Sequence, residues 1–379
     1  MLTVGALTLV TSVTGSYALG GLAAGAVGSG SALGAPVFGA LADRHGQRPV
    51  LLVAAALNAL AVLALIGTAL VPADGSFPAV LAVAAFLAGA TCPQVGPLAR
   101  VRWMALTSRN GGKDAGQDLD TALSYEGTAD ELTFVLGPAL VGILASLVAP
   151  WLPLALAVVM TITLVPAFAV HPTHKAVLTK RATGAGAAKI PAVVALPVLA
   201  MVAMGTFFGS TQTALSSFSA SFATSELAGL LYAVMGLSSA AAALSVAYWP
   251  RRFKHVTRWI VSAALMAGLA LLLAVPDSLG SMVGVLLVLG LPVGPVMVTV
   301  FAIGGIVGPA ERLGTVMTAL ASGIVAGTAL GAFLAGQLAQ GHGYKAAFVV
   351  PAVAASVLFV LGVAAAALLR NRGRRGAKP

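Results

Sequence analysis

Eleven acidic and twenty-one basic side chains are spread over 379 residues, so an ionisable group inside an apolar run is conspicuous. The densest such group is SYEGTADEL, residues 124–132. Glu126 and Asp130 are four apart and share a helical face that continues through Phe134 to Pro138, while Glu131 points about 100° away. Like charges at that spacing repel, and a carboxyl held there can bind and release a proton. Just upstream, GPLARVRW places Arg100 and Arg102 beside Trp103, an interfacial anchor. Either arginine could instead pair with Glu126, Asp130 or Glu131 as a fixed latch, or the charges could be solvated. Spacing leaves the three readings open.

Other chemistries find less. His45, His171, His174, His255 and His342 fall in polar connections without metal-ligand spacing, and no metal is expected. The single cysteine, Cys92, excludes a disulfide framework. A phosphate-cradling GxxxxGK[ST] is missing, and no carboxylate is set with a histidine or metal partner. An enzyme, an ATP-driven pump and a bound cofactor are therefore not expected.

The elements that must position these side chains are membrane helices. Charged residues make up 8% of the chain, 59% is hydrophobic, and the mean hydropathy is +0.99, so lipid is the solvent. About twelve apolar segments follow one another: 1–13, 18–41, 49–71, 79–101, 124–148 and 152–170, then 191–217, 225–249, 258–275, 279–307, 314–338 and 346–369. Most meet the ~20 residues a span needs. The first is too short, which suggests that the true start lies upstream. Expected divisions are 1–170, a basic linker 171–190, 191–369 and a basic tail 370–379. The net charge of +10 does not form one nucleic-acid-binding face, because the cations sit between the apolar runs. With residues 39–49 placed inside, only Lys345 of the 21 lysines and arginines falls outside, whereas Asp74, Glu226 and Asp277 lie in outer loops. Both termini are then cytoplasmic.

The string GALADRHGQRP, residues 39–49, joins the second and third segments. It resembles the loop between helices 2 and 3 of the major facilitator superfamily, roughly G-x-x-x-D-R-x-G-R-R. Gly39, Asp43, Arg44, Gly46 and Arg48 match, and Gln47 stands where the family has a second cation. The resemblance implies an all-α polytopic membrane protein of about twelve helices in two pseudo-symmetric six-helix bundles. It also implies that Asp43 meets the N-terminus of the eleventh helix, where free N–H groups favour an anion, within a charge network that Gln47 weakens. LGPALVG, residues 136–142, resembles a partial form of the helix-5 element of drug–proton antiporters, with Gly137 and Pro138 matching and Gly142 one position late. In the second half AYWPRRFKH keeps cations but has lost the aspartate and glycines. AGQLAQGHG, residues 335–343, echoes the motif with Gln340 at the acidic place.

The family lines its central cavity with helices 1, 4, 7 and 10. Here those segments offer Thr91, Cys92 and Gln94; Gln212, Thr213, Ser216 and Ser217, with Phe207 and Phe208 just before them; and Met297 and Thr299. No buried charge is expected in segments seven to twelve, so a neutral or apolar compound fits better than a strong anion. Small residues at helical spacing, Gly323/Gly327/Gly331, Gly290/Gly294 and Gly21/Gly25, are expected to bring helices close. Pro93 with Pro97, Pro138, and Pro292 with Pro295 are expected to kink or break their helices, the tenth segment being the candidate gate. The leading reading is proton-coupled efflux of a small apolar compound by a monomer in a bacterial cytoplasmic membrane. A sugar or metabolite carrier of the same fold is the second reading. A non-transporting receptor or assembly factor is the third.

Overall fold

A computed structural model of the chain describes residues 2–70, 77–109, 115–177, 189–222, 227–250 and 252–376. Asp74, Lys113, Lys180, Arg181, Glu226, Arg251 and Lys378, all used in the topology reading, lie outside the described residues, as do linker residues 178–188. Among the described residues there is no strand.

The helices are α1 (Leu2–Thr14), α2 (Tyr17–His45), α3 (Gln47–Leu70), α4 (Phe77–Ala90), α5 (Val95–Arg109), α6 (Ala115–Leu147), α7 (Leu152–Val170), α8 (Ala195–Phe222), α9 (Leu227–Ser245), α10 (His255–Ala270), α11 (Leu279–Val307), α12 (Leu313–Ala347) and α13 (Val349–Gly376). Among the described residues eleven stretches are long and apolar enough to cross a bilayer, with α4 and α5 forming one of them, while α1 has 13 residues. Large apolar side chains such as Leu33, Leu60, Leu230 and Phe333 point outward, which is stable only where lipid replaces water. The chain is a multi-pass membrane protein.

The fourth segment is broken. Pro93 lacks an N–H and its ring opposes the preceding turn, so α4 ends at Ala90 and α5 begins at Val95. The freed carbonyls find side-chain donors: Asn58 Nδ2 donates to Ala88 O at 2.7 Å, and Gln94 Nε2 to Cys92 O at 2.8 Å. Pro138 in α6, and Pro292 with Pro295 in α11, lie inside continuous helices. The tenth segment is thus unbroken at its prolines, and the fourth carries the interruption.

Two compact units emerge: Met1–Arg109 with Leu136–Ala188 and Ala310–Val325, and Asn110–Val135 with Lys189–Pro309 and Ala326–Pro379. In the first, α2 and α4 meet through glycines. A Cβ on Gly30 or Gly34 would strike the backbone of Phe86 or Ala90, and one on Gly89 the backbone of Val27. Gly21 and Gly25 face open space. The expected pairing there is corrected: the packed face of α2 runs through Gly30 and Gly34, one turn and more beyond. In the second unit Gly327 and Gly331 of α12 press on Val202 and Thr206 of α8, and Gly290 and Gly294 of α11 press on α9. Close backbone approach substitutes for the hydrophobic drive that lipid removes.

Candidate functional site

Three clusters of polar side chains are built from these helices. The first lies where α2 ends. Gly46, at φ 91°, turns the chain so that α3 starts at once with Gln47, and its N–H donates to Ala42 O. This turn leaves Asp43, 9% exposed, facing the first turn of α12. Gly314 N–H donates to Asp43 Oδ1 at 2.8 Å; Thr315 N–H and Oγ1 donate to Oδ2 at 2.7 and 2.6 Å. The carboxylate therefore caps the uncapped N–H groups at the positive end of the helix. The approach needs Gly39 and Gly314, because a Cβ on the former would meet Thr318 Oγ1 and Gly314 O, and one on the latter Asp43 itself. Arg44 and Arg48 are exposed.

Gln47 does not serve Asp43. Its Nε2 donates to Leu98 O at 3.2 Å, and its Oε1 accepts from Arg102 Nε at 2.8 Å. Arg102, 2% exposed, also donates from Nη1 to Phe168 O and to Thr173 Oγ1 at 2.7 and 3.1 Å, and lies 3.6 Å over the Phe168 ring. A second cation at position 47 would repel that guanidinium, so the departure from the family pattern is matched by a neutral acceptor for Arg102. Arg100 is buried, and neither it nor Glu126 or Asp130 lacks an interaction.

The second cluster is on α6. Asp120, Ser124, Gly127 and Glu131 are buried, whereas Glu126 and Asp130 are half-buried. Their spacing of three and four is a helical face, and it packs on α9: Thr128 Oγ1 contacts Ala240 O at 3.3 Å, and Val135 fills the gap over Gly236. Glu131 is 2% exposed, lies beside Ser239 and Tyr232, and its Oε1 has no hydrogen-bond partner among the described residues. Pairing logic favours Glu126 with Asp130; the small residues Ser124 and Gly127 mark the enclosed face and single out Glu131.

The third cluster escapes the sequence reading altogether. Asp120, near the start of α6, accepts from Arg258 Nη1 at 2.7 Å and meets His255 Nε2 at 2.8 Å. Arg258 is 2% exposed and also donates from Nε to Phe253 O at 2.6 Å. The expectation of no buried charge beyond segment six is thereby corrected: α10, the ninth apolar segment, starts at His255, three residues earlier than expected, which carries Arg258 inside.

Among the expected cavity residues, Gln212 is exposed, Gln94, Thr213 and Ser216 are half-buried, and Met297 is fully enclosed in α11. Several α8 hydroxyls bond back to their own helix, as Ser210 Oγ does to Thr206 O at 2.6 Å. Gly137 is buried, Pro138 half-buried, and Gly142 open on its side-chain face. No group of three potential metal ligands is found among the described residues.

The sequence profile of the Major Facilitator Superfamily matches residues 1–322. The chain belongs to this superfamily. It is a secondary transporter, not an enzyme. Solved superfamily structures resemble it over nearly its whole length. The human organic anion transporter TETRAN is 21% identical, with 95% of this chain and 89% of that chain covered and a TM-score of 0.68. A bacterial homologue of the iron transporter ferroportin in an outward-facing state is 16% identical, with 97% and 98% covered and a TM-score of 0.68. The E. coli fucose:proton symporter is 17% identical, with 96% of each covered and a TM-score of 0.61. At these identities the likeness is one of fold. No curated protein sequence matches the chain.

Proposed function

We propose that this transporter exports a small, largely uncharged compound in exchange for protons, with Glu131 as the proton carrier. The observation behind this reading is a carboxyl on a membrane-spanning helix, 2% exposed, with an oxygen lacking a hydrogen-bond partner among the described residues. A charge so placed is expensive unless a cation or a proton neutralises it. Asp130 and Glu126, exposed enough to exchange with water, would pass the proton on. The partial antiporter element at Gly137 and Pro138 adds support from the adjoining turn of the same helix.

The rest of the reading is the superfamily's cycle. Two six-helix bundles, 1–170 and 191–369, would rock about the substrate, joined by the basic linker 171–190, in a monomer with both termini on the cytoplasmic side of a bacterial membrane. The Asp43 cap on α12 would fasten the cytoplasmic side. A neutral substrate fits the second unit, whose buried Arg258 is already matched by Asp120. The exposed Gln212 is the one observation favouring a hydroxylated substrate such as a sugar.

The test is proton movement in proteoliposomes under an imposed pH gradient, challenged with lipophilic cations, neutral lipophiles, sugars and amino acids. Proton flux driven by a lipophilic class supports export. Flux driven by sugars selects the second reading, and solute exchange without proton movement rejects coupling.

A further inference from the structure

The second unit holds a cavity of about 480 Å³ at the start of α10, between the ends of α6, α11 and α13. Its polar wall carries Lys254, His255 and Arg258, and its other wall is apolar, with Ile306, Val307 and Leu369. We propose that it binds an acidic phospholipid of the cytoplasmic leaflet, phosphodiester against the basic wall and acyl chain against the apolar one.

The charge balance favours an anion. Asp120 is committed to Arg258 and His255, which leaves the exposed Lys254 ammonium without a matching negative group among the described residues of the cavity wall. Lys254 is also the N-cap of α10 and supplies no side-chain acceptor to the first N–H groups of this 16-residue helix, so they add positive potential. A cation beside the end of a membrane helix attracts anionic headgroups.

The apolar wall distinguishes a lipid from a soluble phosphate. Ile306 is 60% exposed at the end of a membrane-spanning helix, a surface that an acyl chain covers and inorganic phosphate does not. The cavity adjoins the ends of the apolar spans His255–Ala274, Leu279–Val307 and Val349–Leu369, where headgroups rather than the hydrocarbon centre are expected. The proposal rests on the cytoplasmic orientation proposed above.

Native mass spectrometry of the full-length protein, titrated with phosphatidylglycerol against phosphatidylcholine, reads the site directly. Retention of one phosphatidylglycerol is expected, weakened about fivefold in Lys254→Gln, since one cation near the surface is worth about 1 kcal/mol. Ile306→Trp, which fills the apolar side, is expected to abolish retention. Equal retention of phosphatidylcholine, unchanged binding in both variants, or full competition by inorganic phosphate overturns the proposal. Orientation is read separately, with Lys254→Cys on a Cys92→Ser background and a membrane-impermeant maleimide. Labelling from the outside alone rejects the cytoplasmic leaflet whatever lipid binds, whereas labelling from the inside with no lipid retained rejects the lipid site alone.

Discussion

Asp43 and Asp120 are both 9% exposed, and each holds the start of a helix, by different means. Asp43 takes two backbone N–H groups and a hydroxyl at the first turn of α12. Asp120 takes the side chains of Arg258 and His255 at the start of α10. A backbone partner cannot be altered by changing a side chain, but here it is reached only because Gly39 and Gly314 let the two helices approach closely. A side-chain partner tolerates bulk nearby, but it adds a buried charge that must stay matched. The first clasp is thus sterically fragile and electrostatically simple, and the second is the reverse.

That contrast orders the expected effects. Arg258→Gln leaves Asp120 buried without its guanidinium and is expected to cost about 3–5 kcal/mol, read as a lower unfolding midpoint in detergent. Asp120→Asn with Arg258→Gln removes both charges, and its cost should be well below the sum of the single losses. If it equals the sum, the pair is not one electrostatic unit. Asp43→Asn weakens charge-assisted bonds worth about 1.5–3 kcal/mol each. Amide exchange over Gly314 and Thr315 should rise about tenfold or more, with the rest of α12 unchanged. Gly39→Val should cost about 1–3 kcal/mol by overpacking against Thr318 and Gly314 and should raise exchange at the same two amides. The equivalent insult near Asp120 should not, because its partners are flexible side chains. The smallest effect is expected for His255→Gln, which keeps a donor for Asp120 and should shift stability by less than about 1 kcal/mol.

The two clasps also differ in how far they could be read from sequence. Asp43 stands in an eleven-residue string with its turn glycine Gly46 and its packing glycine Gly39 beside it, so local spacing and the family resemblance together point to it. Asp120 has its partners 135 and 138 residues away, and nothing near it in sequence announces them. The helical spans follow from composition and hydrophobic runs, because in lipid every backbone group must be satisfied within its own segment. The break at Pro93 depends on which carbonyls find donors, among them the distant Asn58, and proline positions alone do not distinguish it from the continuous helix at Pro292 and Pro295. On α6 the information was present in another form. Repulsion between Glu126 and Asp130 draws attention to the half-buried face, whereas Ser124 and Gly127 mark the enclosed face that holds Glu131.

Proton carriage by Glu131 is tested by comparing two transport modes in Glu131→Gln and Asp130→Asn proteoliposomes, using the compound class that moves protons with the wild-type protein. Substrate–substrate exchange needs no net proton movement, whereas uphill accumulation driven by a pH gradient does. Glu131→Gln is expected to keep exchange near the wild-type rate and to lose gradient-driven accumulation. Gradient-driven accumulation that persists in Glu131→Gln, or that is lost only in Asp130→Asn, would contradict it.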